Sequence, residues 1–199
     1  MSSPNDHNPI QHFQRWFQEV DIAHPEDEAN AMLLSTIGID GFPKSRIVLL
    51  KRFTWEGFIF FTNYNSEKGR AIAVNNNASI SFNWVASKRE ILISGKVEKI
   101  AKNLSEGYFK SRPEGSKLST WISKQSEVIS SRKILEDRLK YYETKFKNKN
   151  IPKPEYWGGY IIKPNLMEFI KHDPLVGLSQ ITKYVLQPDY SWSKQIYFR

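Results

Sequence analysis

The 199-residue sequence contains no cysteine and only four histidines. Without cysteine, disulfide scaffolds, thiolate zinc sites, iron–sulfur clusters and thiol nucleophiles are excluded. None of the histidines lies in a recognisable metal or nucleophile motif, so no metal site is predicted. The sequence also lacks a Walker loop and a dinucleotide-binding glycine fingerprint, which argues against nucleotide hydrolysis and a Rossmann cofactor site.

Long apolar runs are missing as well. No segment approaches 18 apolar residues, so no transmembrane helix is predicted. The polar residues 1–9 lack the apolar core of a signal peptide. We therefore expect a soluble cytoplasmic protein with a disordered N-terminal arm over residues 1–9 and a single domain over residues 10–199.

Charge is unevenly distributed along the chain. The formal net charge is +8, and the segment 99–153 holds all of this excess, with 14 basic and 6 acidic side chains. Such an excess can mark a nucleic-acid binder. Here, however, the basic residues alternate with acidic ones on solvated helix surfaces, and no aromatic RNA-binding pattern accompanies them. Neither a nucleic acid nor a membrane is expected as a partner.

The spacing of apolar residues predicts an α+β chain that is mainly β. Apolar side chains from Ile10 to Val20 recur at helical spacing, and Ser66 is a predicted N-cap. Short strands separated by turn signals favour an antiparallel sheet or barrel. Strands are predicted at 31–39, 45–53, 58–62, 79–84, 90–100, 156–162, 166–170, 182–186 and 193–198, and further helical segments at 25–28, 67–74, 104–110, 121–126 and 132–147.

Two segments place cations where an anion could bind. In the strand 45–51, alternation puts Arg46 and Lys51 at opposite ends and on opposite faces. In the segment 61–70, a strand leads through a polar loop to a helix N-terminus. Free backbone N–H groups and Lys68 suit a phosphate there. Each segment alone is equally consistent with an edge-strand arginine or a capped surface helix.

Five short motifs follow one another along the chain. They are RIVLLK at 46–51, FTN at 61–63, YFKSRP at 108–113, WISKQS at 121–126 and WGGY at 157–160. As a set, over about residues 10–170, they resemble the pyridoxamine 5′-phosphate oxidase family of FMN-dependent enzymes. The resemblance implies an FMN-binding split β-barrel with peripheral helices, assembled as a homodimer with FMN at the subunit interface.

The resemblance also implies which residues bind the cofactor and the substrate. Charge-assisted hydrogen bonds from arginine and lysine suit the phosphates, and apolar walls suit the flavin ring. The substrate phosphate would contact Lys51, Tyr108, Arg112 and Ser116. FMN would contact Arg46, Ile47, Val48, Leu49, Leu50, Lys51, Phe61, Thr62, Lys68 and Glu90, with Gln125 and Ser126 from the other subunit and Trp157 beside them.

Three departures from the family pattern affect these sites. Glu67 stands where the family usually has an arginine, and Glu90 stands where it often has a glutamine that contacts the flavin. An ionised glutamate cannot donate a hydrogen bond as a glutamine amide can. The family's Arg-x-His-Asp-Arg motif, which flanks the substrate, is absent from residues 170–183. His172 precedes the expected place, and Lys183 could replace the last arginine only as a point charge.

Together these features predict an FMN-dependent oxidoreductase that acts on CH–NH2 or related donors. A small flat (hetero)aromatic substrate, such as pyridoxamine or pyridoxine 5′-phosphate, would pass a hydride to flavin N5, and O2 would reoxidise the flavin. The departures leave two alternatives open: an oxidase like those of phenazine biosynthesis, and a non-catalytic protein that binds FMN or pyridoxal phosphate. No catalytic residue is assigned from the sequence.

Overall fold

The computed structural model describes residues 8–123 and 125–199, which form one antiparallel sheet and peripheral helices. The helices are α1 (Pro9–Ala23), α2 (Glu67–Val74), α3 (Lys102–Ser111), α4 (Glu114–Ile122) and α5 (Arg132–Phe146). The strands are β1 (Ala31–Ile37), β2 (Pro43–Leu49), β3 (Arg52–Thr54), β4 (Gly57–Asn63), β5 (Asn77–Trp84), β6 (Arg89–Lys99), β7 (Trp157–Asp173), β8 (Leu178–Leu186) and β9 (Trp192–Phe198).

The nine strands curl into a half-barrel. Their order is β2-β1-β5-β6-β7-β4-β3, and β8 and β9 continue from β7 as a second branch. The chain continues from β2 into β3, which pairs with β4, and just before β3 the backbone N–H of Lys51 donates to the carbonyl of Ile59 at 2.9 Å. The mainly β architecture predicted from the sequence is confirmed. No helix within the described ranges is long and apolar enough to cross a membrane.

Helix α1 packs on the concave face of this sheet. The side chain of Asn8 caps the helix by accepting from the backbone N–H of Ile10 at 2.8 Å, and Pro9 occupies the first turn, where its missing N–H costs nothing. Phe13 is fully buried and contacts the rings of Phe53 and Phe58. The predicted arm over 1–9 is therefore too long by Asn8 and Pro9, and residues 1–7 lie outside the described residues.

The structure differs from the sequence prediction in four places. The predicted strand 45–53 is interrupted after Leu49, and the two predicted strands at 156–162 and 166–170 form the single strand β7. Pro164 is tolerated within β7 because the pairing with β6 shifts there, between Ser94 and Gly95. The helix predicted at 121–126 instead begins at Glu114, directly after Pro113, and residues 25–27 form a turn.

Candidate functional site

Arg46 and Lys68 form a cationic pocket between β2 and the first turn of α2. Lys68 is only 7% exposed, and its ammonium has no hydrogen-bond or ion-pair partner among the described residues. Burial, reinforced by the charge of Arg46, lowers the pKa of Lys68. Arg46 is held in place because its Nη1 donates to Thr36 Oγ1 at 2.7 Å. A buried cation without an ion-pair or hydrogen-bond partner marks a place where an anion would be stabilised.

Glu67, the carboxylate beside this pocket, is neutralised by a lysine of β2. Lys44 Nζ lies 2.7 Å from Glu67 Oε1 and 2.9 Å from Asp40 Oδ2. The hydrogen bond from Lys44 lowers the pKa of Glu67, so this carboxylate stays ionised and paired. The structure thereby accounts for the first departure from the family pattern: the negative charge has its own cation, and Arg46 and Lys68 stay available for an anion.

The start of α2 is ordered by a cap and by the loop that follows α4. Ser66 Oγ accepts from the backbone N–H of Gly69 at 3.3 Å. The backbone N–H of Glu67 donates to Ser126 Oγ at 3.3 Å, and Thr62 Oγ1 donates to Gln125 Oε1 at 3.2 Å. These bonds join the loop after α4 to β4 and α2 of its own chain. That Gln125 and Ser126 contact FMN from the other subunit stays a prediction.

An aromatic cleft lies beside the cationic pocket. The rings of Phe61 and Tyr108 stack at 4.0 Å between centroids, and Trp157 stacks on Phe61 at 5.3 Å. The guanidinium of Arg112 lies 4.8 Å from the centroid of the Trp157 ring. Burial raises the pKa of Tyr108, so its phenol stays protonated and can donate a hydrogen bond. A cavity of about 210 Å³ opens between Phe61, Trp157 and the end of α4.

Thr120, which the sequence analysis missed, holds this arginine. Arg112 Nη1 donates to Thr120 Oγ1 at 2.8 Å, and Thr120 Oγ1 donates in turn to the carbonyl of Ser116 at 3.0 Å. Ser116 therefore joins the cleft through its backbone. The i, i+4 spacing of Ser116 and Thr120 on one helix was the only available signal, and it is too common to be informative.

The strand residues 46–51 divide between the two faces of the sheet. Leu50 is buried and Val48 packs against the hydrophobic core, so both belong to the fold itself. Ile47 is 64% exposed on the opposite face, which it shares with Leu49 and the exposed Lys51. Only Arg46 among the six therefore contributes its side chain directly to the cationic pocket.

Glu90 is not brought to this pocket within one chain. It lies opposite Ile170 near one end of β7, whereas Trp157 is at the other end, and the 17-residue strand spans roughly 50 Å along its path. Glu90 Oε1 instead lies 3.0 Å from His172 Nε2. Lys183 lies 3.5 Å from the carboxylate of Glu168, so its charge is engaged elsewhere.

The curled half-barrel and its buried cations define a split-barrel-like protein with a cationic pocket at its edge. The comparison with known proteins narrows this class further. The family model "Pyridoxamine 5'-phosphate oxidase" matches residues 22–146. The chain belongs to the pyridoxamine 5′-phosphate oxidase family, which confirms the resemblance drawn from the sequence motifs.

Relatives of the chain cover nearly all of its length. A pyridoxine/pyridoxamine 5′-phosphate oxidase of Flavobacterium psychrophilum is 54% identical over 185 residues, covering 93% of this chain and 86% of the relative. The protein of the same name in Trichormus variabilis is 43% identical over 193 residues, covering 94% and 86%.

Solved structures show the same fold. PhzG from Burkholderia lata 383, in complex with tetrahydrophenazine-1-carboxylic acid, has a TM-score of 0.89 at 24% identity and covers 98% of this chain and 94% of its own. A pyridoxamine 5′-phosphate oxidase-related, FMN-binding protein from Nostoc punctiforme has a TM-score of 0.72 at 14% identity, covering 99% of both chains.

Proposed function

We propose that the protein is an FMN-dependent oxidase of a small, flat (hetero)aromatic substrate, with pyridoxamine and pyridoxine 5′-phosphate as the first candidates. The observation that carries the proposal is the buried ammonium of Lys68 beside Arg46, which has no partner among the described residues. A phosphate at the start of α2 would neutralise both cations. Relatives that bear the name pyridoxine/pyridoxamine 5′-phosphate oxidase support the oxidoreductase class.

The residues of the cationic pocket fit the phosphate of FMN. Arg46 offers a guanidinium that Thr36 already orients, Lys68 offers a point charge, and Ser126 adds a hydroxyl at the helix start. Backbone N–H groups of the first helical turn add a positive dipole end. Phe61 and Thr62 border the same space on β4, where they would line the path from the phosphate to the flavin ring.

The aromatic cleft fits the substrate. Arg112 and Tyr108 would hold the substrate phosphate, and Thr120 keeps the guanidinium of Arg112 in a fixed orientation. Lys51, exposed on the face that a second copy would cover, and the hydroxyl of Ser116 would complete the group. When bound, FMN would supply the redox chemistry: the substrate would give up a hydride and a proton, and these two electrons and two protons would pass to O2, which leaves as H2O2. The role of the protein is to orient the ring, exclude water and supply positive charge.

We also propose that the chain acts as a homodimer. One row of side chains crosses the face of the sheet opposite the core: Ile47 pairs with Leu33, Leu33 with Ser81, and Ser81 with Leu92. Ile47 is 64% exposed, and Leu33 and Leu92 are each 39% exposed. A second copy seated on this row would cover it. It would also enlarge the small cleft, which lies below the ~300–1,000 Å³ of typical ligand sites.

A second candidate substrate class follows from the β7–β8 region. Residues 170–183 contain no Arg-x-His-Asp-Arg motif, and His172 and Lys183 are engaged with Glu90 and Glu168. Substrate groups that the motif would contact in relatives therefore meet different side chains here. This favours a flat aromatic substrate other than a B6 vitamer, of the kind that PhzG binds in its complex.

The test is a flavin and turnover assay on the purified full-length protein. We expect a yellow protein whose released flavin is FMN, and O2 consumption with either pyridoxamine or pyridoxine 5′-phosphate. O2 consumption only with a reduced phenazine carboxylate would support the second substrate class. A yellow protein without turnover on either substrate would indicate a binding protein. A colourless protein that takes up no added FMN would overturn the proposal.

A further inference from the structure

A hydrogen-bond chain links three strands at the end of β7 that lies far from Trp157. His172 Nδ1 lies 2.8 Å from Ser179 Oγ on β8, and His172 Nε2 lies 3.0 Å from Glu90 Oε1 on β6. The register explains the contacts, because Ser179 is directly opposite His172 across the hairpin and Glu90 is opposite Ile170, two residues away on the same face. We call this unit the Glu90–His172–Ser179 chain.

Both ring nitrogens of His172 are used in either protonation state. With a neutral ring, Nε2–H donates to Glu90 and Nδ1 accepts from the hydroxyl of Ser179; with a charged ring, both nitrogens donate. His172 therefore has no polar atom left for a ligand. The second carboxylate oxygen of Glu90, Oε2, has no partner among the residues that the structure describes. The free acceptor of this unit is Glu90.

The surroundings hold Glu90 in a defined place. The backbone N–H of His172 donates to the carbonyl of Lys88 at 3.0 Å, which ties β7 to the turn before β6. Ile170 and Ile181, which lie beside Glu90, are buried, so the Glu90–His172–Ser179 chain packs against apolar side chains. Glu90 lies two residues before Leu92 on the same face of the sheet, and Leu92 belongs to the row that we propose a second copy covers.

We propose that His172 is a positioning residue that holds the Glu90 carboxylate so that its free oxygen accepts a hydrogen bond from a ring N–H of the flavin. This inference rests on the proposed FMN function and on the second copy. It explains why a glutamate can take the place of the family's glutamine at position 90. A carboxylate left alone in a covered interface would be costly, but one oxygen is here satisfied by the imidazole. The other oxygen selects a donor on the ligand.

The test is a set of FMN dissociation constants measured by flavin fluorescence. We expect His172→Ala to raise the dissociation constant about tenfold, since a hydrogen bond to a charged group loses its orientation. His172→Gln, whose amide can donate to Glu90 and accept from Ser179, should recover most of the affinity. In a Glu90→Gln background, His172→Ala should change the dissociation constant less than about twofold, because the coupled partner is already removed.

Lys163→Ala is the matched control. It breaks another β6–β7 ion pair, in which Lys163 Nζ lies 2.7 Å from Glu98 Oε2, and should leave FMN binding unchanged. If His172→Ala and His172→Gln, each shown by its melting curve to be folded, both bind FMN as the wild type does, the positioning role is overturned. It is also overturned if His172→Ala causes the same loss in the wild-type and Glu90→Gln backgrounds, because the effect would then be purely structural. Failure of the wild type to bind FMN would overturn the proposed function itself.

Discussion

The fold buries the positive charge of Lys68, whose ammonium has no hydrogen-bond or ion-pair partner among the described residues. We expect Lys68→Met to raise the FMN dissociation constant about 10–100-fold, because the free energy of a hydrogen bond to a charged group is lost. The same change should raise the melting temperature of the FMN-free protein. Since the pKa of Lys68 is lowered in the fold, its charged form is less stable there than in the unfolded chain at neutral pH. Fluorescence titration and thermal melting measure the two effects.

The lowered pKa of Lys68 predicts that FMN binding weakens at alkaline pH. The phosphate requires the protonated ammonium. Above the phosphate's own second pKa of about 6, affinity should therefore fall as pH rises through the lowered pKa of Lys68 in the free protein. Lys68→Met should flatten this alkaline decline. The exposed Lys96, changed to Met, is the control and should keep the wild-type curve. An identical decline in wild type and Lys68→Met would show that another group is responsible.

Thr120 makes a separate prediction about the substrate. Thr120→Val keeps the shape of the side chain but removes the hydroxyl that accepts from Arg112 at 2.8 Å. We expect the KM for pyridoxamine 5′-phosphate to rise about 3–10-fold, with the FMN dissociation constant unchanged, because the cationic pocket is separate. Thr120→Ser retains the hydroxyl and should stay near the wild-type KM. A parallel loss of FMN affinity would contradict the division between pocket and cleft.

At the scale of elements, the start of helix α2 contributes both to the stability of the fold and to the proposed binding of FMN. Ser66 caps the helix whose first turn carries Lys68. Ser66→Ala should cost about 1 kcal/mol of unfolding free energy, measured by urea denaturation, and should weaken FMN binding. Asn8→Ala removes the cap of α1 in the same way but lies in another element. It should cost a similar free energy of unfolding and leave FMN affinity unchanged, which separates a local effect from a global one.

The periodic elements were predictable and the contacts between them were not. Helices α1 and α5 follow from apolar spacing, and Ser66 was correctly predicted as a cap. Helix α4 was misplaced because its start depends on Pro113 rather than on periodicity. The pairs Lys44–Glu67 and Glu90–His172 join residues 23 and 82 positions apart. Such contacts depend on how strands align, which no local pattern specifies.

At the scale of the whole molecule, the arrangement of the predicted FMN residues carries information about assembly. The cationic pocket and Glu90 were assigned to one cofactor by motifs alone, yet they lie near opposite ends of β7. The sequence could not reveal this separation, because it arises from the single long strand that replaced two predicted ones. If both groups contact one flavin, they must come from different copies of the chain.

Leu33→Lys tests that assembly. Leu33 is 39% exposed in the middle of the row between Ile47 and Ser81, on the face opposite the core. A lysine there would place a charge without a counter-charge in an apolar interface, which should raise the dimer dissociation constant about 100-fold or more in sedimentation experiments. FMN affinity should fall with it. Ile22→Lys, at an 80% exposed position of α1, is the control and should remain dimeric and yellow. A Leu33→Lys variant that stays dimeric would place the interface on another face of the molecule, whereas a monomer with full FMN affinity would show that one copy supplies the whole flavin site.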